Sequence, residues 1–302
     1  MSLEITTTGE AVIASQQQKV PKANATAPES IPTFDIGPPR GLFNIDLHEL
    51  WIYRELLYFL VWRDLKVRYK QTAIGVGWVI IQPFCTMLIF SFFFGRLAKM
   101  PSDGLPYPVF YYCALLPWMY FASALTNATN TVVEQERVIT KVYFPRVLLP
   151  ASAVVSGLVD FSVSLVMFMG MMLYYHMTPK ATALFVPAFL LMAITTALGA
   201  GLWLSALNAI YRDVRYAIPF LVQVWMFASP VAYPSTLVPD RWRWLFGLNP
   251  MTGVIEGFRW ALTGHGHPPG RLLAASAAMV AVMLIGGLLY FKNMEGTIAD
   301  RM

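Results

Sequence analysis

Hydrophobic positions in this chain fall into long unbroken runs, not into the strict alternation of strands or the narrow stripes of soluble helices. Runs begin near Ile74, Val109, Val147, Ala183, Ala217 and Leu272, with short polar connectors between them. A helix of about 20 apolar residues crosses the hydrocarbon core of a bilayer, so most of these runs can span one. The pattern predicts an all-α polytopic membrane protein with six transmembrane helices, near Ile74–Leu97, Pro108–Val133, Val147–Tyr175, Ala183–Ile210, Ala217–Tyr233 and Leu272–Phe291. Gly75, Gly77 and Pro83 favour a kink in the first. The fifth is short and ends at Ser229-Pro230. On the fourth, Ala197, Gly201 and Ser205 recur every four residues, a stripe suited to close packing against another helix.

Three regions depart from simple spans. Residues 235–262 are divided by Pro239-Asp240 and Asn249-Pro250 into two half-length helices, with Asn249 suited to an N-cap and Pro250 to the first helical position. Trp242, Trp244, Phe246, Phe258 and Trp260 make both pieces interfacial. A re-entrant pair fits, provided protein shields its backbone ends; a broken seventh span is the alternative. Ahead of the first span, roughly Leu47 to Lys70 carries Trp62, Leu65 and Tyr69 beside a basic stripe of Arg63, Lys66 and Lys70, with Asp64 and Arg68 an i,i+4 pair. Such a stripe suits an amphipathic helix in the headgroup layer, in contact with membrane lipids. Residues 1–40 contain SQQQKVPKANATAPES and no secretory apolar core, and read as a disordered cytosolic tail. The chain thus divides into a tail at 1–40, an interfacial helix within 41–72 and a transmembrane domain at 73–302.

Composition agrees with this picture and removes other classes. Hydrophobic residues make up 57% of the chain and charged residues only 13%, about half of what a soluble domain carries. The net charge of +5 does not imply nucleic acid, because the basic residues flank apolar runs and form no separate domain. Their bias orients the chain: Arg54, Arg63, Lys66, Arg68, Lys70, Arg137, Lys141, Arg146, Arg212, Arg215, Lys292 and Arg301 share one side, which is therefore cytosolic, and both termini lie there.

Candidate chemistry is sparse. No GxxxxGK[ST] phosphate loop is present, so the chain is not expected to hydrolyse nucleotide, and no cofactor or metal site is expected in it. His265 and His267 lack further ligands and read as loop residues. Asp160 lies inside the third span, where a carboxylate either pairs with a basic residue of another helix or lines a pathway. Glu256 and Arg259 are three apart on a half-length helix and read as a local pair or a gate. The loop from Glu134 to Arg146 mixes Arg137, Lys141 and Arg146 with Tyr143, Phe144 and Pro145; exposed aromatics among charges are the composition of a protein docking knob.

RYKQTAIGVGW before the first span, KVYFPR in this loop and NPMTGVIEGFRWAL in the half-length helices resemble, in order and spacing, the permease subunit of polysaccharide-exporting ABC transporters. That family exports O-antigen, capsular polysaccharide or teichoic acid, and the resemblance covers about residues 41–302. It implies a homodimer in the bacterial inner membrane, bound to two copies of a separate ATPase that holds the ATP and magnesium, with a lipid-linked polysaccharide as substrate. It makes Arg137, Lys141, Tyr143, Phe144, Pro145 and Arg146 the ATPase-coupling segment. It places Phe92, Phe93, Tyr111, Tyr112, Trp118, Tyr120, Trp225, Phe227 and Tyr233 in the stretches that line the channel, where aromatic rings stack on the C–H faces of sugars. The rival readings are a polytopic membrane enzyme acting on lipid-linked sugars and an ABC exporter of drugs or small lipids.

Overall fold

The computed structural model describes residues 51–70, 75, 77–142, 144–265 and 270–301, without the side chains of Asp240 and residues 298–301. The expected tail at 1–40 lies outside these residues. Among the described residues every regular element is helical. The helices are α1 Arg54–Lys70, α2 Gly77–Phe90, α3 Tyr107–Glu134, the single turn α4 Glu136–Ile139, α5 Leu148–Tyr174, α6 Val186–Ile210, α7 Val214–Phe227, α8 Asp240–Gly247, α9 Pro250–Thr263 and α10 Gly270–Arg301.

Five helical stretches are long and apolar enough to cross a membrane: Gly77–Leu97, Tyr107–Glu134, Leu148–Tyr174, Ala181–Ile210 and Gly270–Thr297. They match the first four expected spans and the last. The fifth, α7, is an apolar helix of 14 residues, only about 21 Å long at the α-helical rise. Pro83 lies inside α2, whose path continues as a π-helical segment, Ser91–Leu97.

The core is organised around α6. Membrane helices gain nothing from excluding lipid, so they associate through close van der Waals contact at small residues. Ala197, Gly201 and Ser205 are all buried, and a Cβ on Gly201 would lie 2.8 Å from the Cβ of Ala128 on α3. The other side of α6 meets α10 more closely still, because a Cβ on Gly199 would come within 2.8 Å of the Leu284 backbone nitrogen. α3 is the most enclosed of the five membrane-length helices, with α5, α6 and α9 against it and Phe110, Tyr111, Phe121 and Leu125 sealed inside. By contrast α7 buries only Ile218, and α2 only Pro83 and Met87. The bundle is thus a tight core of α3, α5, α6 and α10 with α2 and α7 loosely attached.

α8 and α9 form two short helices before α10. Asn249 caps α9 through its side-chain oxygen, which accepts from the Met251 N–H, and Pro250 opens the helix, as the sequence predicts. Gly264 ends it at a positive φ of 63°, a conformation that suits glycine, while its N–H closes on the Trp260 carbonyl.

The α6 packing gives a direct test. Gly199→Ala should lower the thermal stability of the detergent-solubilised protein by about 1–3 kcal/mol, because the backbone of α10 cannot step aside cheaply. Gly170→Ala, with open space at its Cβ, should behave like the wild type. Equal melting of the two variants would mean that α6 and α10 are not in this contact.

Candidate functional site

A groove of about 640 Å³ with a partly polar lining opens between α2, α3, α5 and α7. Trp78, Gln82 and Thr86 face it from α2, Trp118, Tyr120, Ser123 and Asn127 from α3, Asp160 and Ser164 from α5, and Pro219 and Met226 from α7. Gln82, Ser123 and Pro219 are exposed, so the groove is open along one flank of the chain. Part of its polar lining is Ser123, Thr126 and Asn127, which recur at helical spacing inside the long apolar helix α3 and are legible in the sequence as a polar stripe.

Asp160 stands twelve residues into α5, about 18 Å from its start. An unpaired carboxylate at that depth costs several kcal/mol. Here Arg68 donates to it at 2.5 Å, and the Tyr69 hydroxyl donates to its other oxygen. The expected Asp64–Arg68 pair does not form. Asp64 instead pairs with its neighbour Arg63 at 2.8 Å and accepts from the Ser152 hydroxyl at 3.3 Å. The reason is depth: α1 does not lie flat but runs beside α5, with Leu60 buried against Leu148 and Leu149, Asp64 at Ser152, and Arg68 at Asp160. Trp62 is half exposed, and the Lys66 ammonium sits 4.5 Å from its ring centroid. Lys70 closes the helix as its last residue.

A second polar constellation joins α9 to the segment that follows α7. Arg259, only 5% exposed, pairs with Glu256 at 2.9 Å, as its spacing suggests. It also donates to the carbonyls of Pro230 at 2.6 Å and Val231 at 3.0 Å. Glu256 accepts from the Ser235 N–H. Asn249 completes the clamp: it accepts from the Trp225 indole at 2.9 Å and donates to Ser229 Oγ at 2.8 Å. Helix α9 therefore holds the end of α7 by its first residues and by its last turns together.

The expected channel aromatics separate into four groups. Trp118 and Tyr120 border the groove with only a small part of each ring, 3% and 4% exposed. Tyr111 and Tyr112 do not; they are fully buried between helices, Tyr111 stacked on Phe90 and Tyr112 on Phe168, and no substrate can touch them in this arrangement. Phe92, Phe93 and Phe227 lie on the outer surface. Trp225 belongs to the Asn249 clamp, and Tyr233 donates to the Phe227 carbonyl.

In the loop after α4 the expected exposed aromatic pair is corrected for Phe144. It is 5% exposed and sits in a cluster with Leu60, Val132, Ile139, Leu149, Leu202 and Phe291, because the chain turns inward at Pro145. Tyr143 lies outside the described residues. Arg137, Lys141 and Val142 are exposed, whereas Arg146 donates to the Glu295 carbonyl near the end of α10.

A bundle of long apolar helices with a charged internal pair and an open polar groove is the architecture of a polytopic membrane protein. Residues 55–263 match the family described as ABC-2 type transporter, and the chain belongs to it. It is 29% identical over 256 residues to the O-antigen export system permease protein RfbA of Myxococcus xanthus, covering 84% of this chain and 98% of that one. A protein of the same name from Klebsiella pneumoniae is 27% identical, over 68% of this chain and 79% of its own length. The polysialic acid transport protein KpsM of Escherichia coli is 22% identical over 77% of this chain and 91% of its own.

The Asp160 cluster is testable by a double-mutant cycle. Asp160→Ala and Arg68→Ala should each destabilise the solubilised protein, and the double variant should lose less than their sum. The coupling energy expected for a half-buried pair is on the order of 1 kcal/mol. Strict additivity of the melting shifts would mean that the two charges do not meet.

Proposed function

We propose that this chain is the membrane-spanning subunit of an ATP-driven exporter that moves a lipid-linked polysaccharide across a bacterial inner membrane. Two copies would face each other across their open grooves. Two copies of a separate ATPase would bind the cytosolic ends and hold the ATP and magnesium. The observation that carries this reading is the groove itself. It offers hydroxyl, amide and indole groups within an otherwise apolar wall, and it stays open until something covers its flank. Sugars need that combination: hydroxyls to exchange for those of water, and aromatic faces on which rings slide without tight charge contacts.

In this reading the grooves of the two copies form one channel, with the exposed Trp78 as its aromatic face and Trp118 and Tyr120 backing it. α2 and α7, the loosely attached helices, are the parts able to move. Arg137 and Lys141 form the exposed part of the coupling segment, and Phe144 positions that segment from inside the protein. The clamp of Arg259, Glu256 and Asn249 fixes the outer end of α7 against the two short helices, which act as a re-entrant outer seal. Relatives named for O-antigen export and for polysialic acid transport support the substrate class.

The test is a deletion strain complemented with variants. Surface polysaccharide should vanish on deletion, and the ATPase should co-purify with the wild-type chain. Arg137→Glu with Lys141→Glu should release the ATPase without loss of the permease from the membrane. From outside, a cysteine placed at Ser235 should be labelled and one at Gln135 should not. Normal surface polysaccharide in the deletion strain, or robust ATP hydrolysis by the isolated chain, would refute the reading.

A further inference from the structure

A second cavity lies at the other end of the bundle from the loop of Arg137 and Lys141. It forms where α8, α9 and the first turn of α10 meet the connector between α2 and α3. Its volume is about 700 Å³, within the range of small-molecule sites and larger than a single sugar needs. The floor is buried and built: the Arg259 guanidinium lies 3.9 Å from the centroid of the Phe110 ring, with Glu256 beside it. The rim is exposed and mixed in chemistry, with Trp244, Arg243, Arg271, His265 and Asp103 around it. Trp244 is 64% exposed.

An aromatic belt at the membrane surface accounts for a tryptophan at this level. It does not account for charges of both signs gathered around the same concavity. An anionic headgroup would be served by cations alone. A sugar ring has a C–H face that stacks on an indole, and an edge of hydroxyls that both donate and accept. It is therefore matched by a tryptophan beside guanidinium donors and a carboxylate acceptor. We propose that this cavity binds a short stretch of saccharide, with Trp244 under a ring, Arg243 and Arg271 donating to hydroxyl or acidic groups, and Asp103 accepting. The assignment rests on the exporter reading and adds to it a holding site for the emerging glycan on the outer face. Its floor residue Arg259 also holds the carbonyls of Pro230 and Val231, so a bound sugar rests against the clamp on α7.

The experiment uses the full chain in phosphatidylcholine nanodiscs. The probe is a short oligosaccharide fraction, released by mild acid from the surface glycan of the strain that carries this chain. Binding is read by saturation-transfer NMR and by tryptophan fluorescence. Saturable binding is expected, weakened about tenfold by Trp244→Ala and by Arg271→Gln. Trp242→Ala, on the same helix but outside the cavity, should bind like the wild type. Absence of saturable binding, or equal affinity of the Trp244→Ala variant and the wild type, would overturn the proposal. So would displacement of the sugar by phosphatidylglycerol added to the disc, which would assign the cavity to a lipid headgroup. The exporter reading is checked separately by surface glycan in the deletion strain. If the glycan depends on the chain while the variants bind unchanged, that reading stands and the cavity assignment alone falls.

Discussion

The contact of α6 with α3 on one side and α10 on the other is the constraint from which the rest of this structure follows. Lipid tails are as apolar as leucine, so nothing presses these helices together except the fit of their surfaces. Glycine and alanine at 197, 199 and 201 let the backbones approach, and a single methyl group at Gly199 would meet the main chain of α10. α2 and α7 have no such seams. Both present mostly exposed apolar side chains, and both border the groove. A rigid frame with two loosely held walls can change the width of a passage without losing its core.

Charge is handled by the same economy of placement. Ionised groups inside a membrane protein persist where the protein supplies the counter-charge and the remaining hydrogen bonds. Asp160 receives both from the end of α1, from two consecutive residues. Arg259 directs its terminal guanidinium nitrogens to Glu256 and to the carbonyls of Pro230 and Val231 in the segment that follows α7. Each constellation ties a neighbouring segment to the frame: α1 to α5 in one case, the end of α7 to α9 in the other. Charge pairing thus complements steric packing, fixing the segments that surface fit alone would leave loose.

Periodicity and punctuation made most of the fold legible. Five spans were readable from apolar length, and the Asn249-Pro250 start of α9 from cap chemistry. The packing stripe at Ala197, Gly201 and Ser205 was readable from its four-residue spacing. Partners distant in sequence were not. Arg68 had a plausible carboxylate four residues away, and only the upright path of α1 beside α5 brings it to Asp160 instead. Tyr111 stands seven residues before Trp118 and so on the same face of α3, yet Phe90 covers it while Trp118 borders the groove. Height along the helix and the neighbour met there decide this, and a single sequence supplies neither. Phe144 was legible as important but not as internal, because its socket is assembled from six helices.

That socket has a consequence for engineering. The stretch from Glu136 to Val147 is not a detachable module. Phe144 is sunk among residues of α1, α3, α5, α6 and α10, and Arg146 is fastened to the carbonyl of Glu295. Grafting this stretch from a relative would bring the exposed residues without the receptacle that orients them. A working chimera has to carry over the lining residues at Leu60, Val132, Leu202 and Phe291 as well, so the smallest exchangeable unit is scattered across the chain.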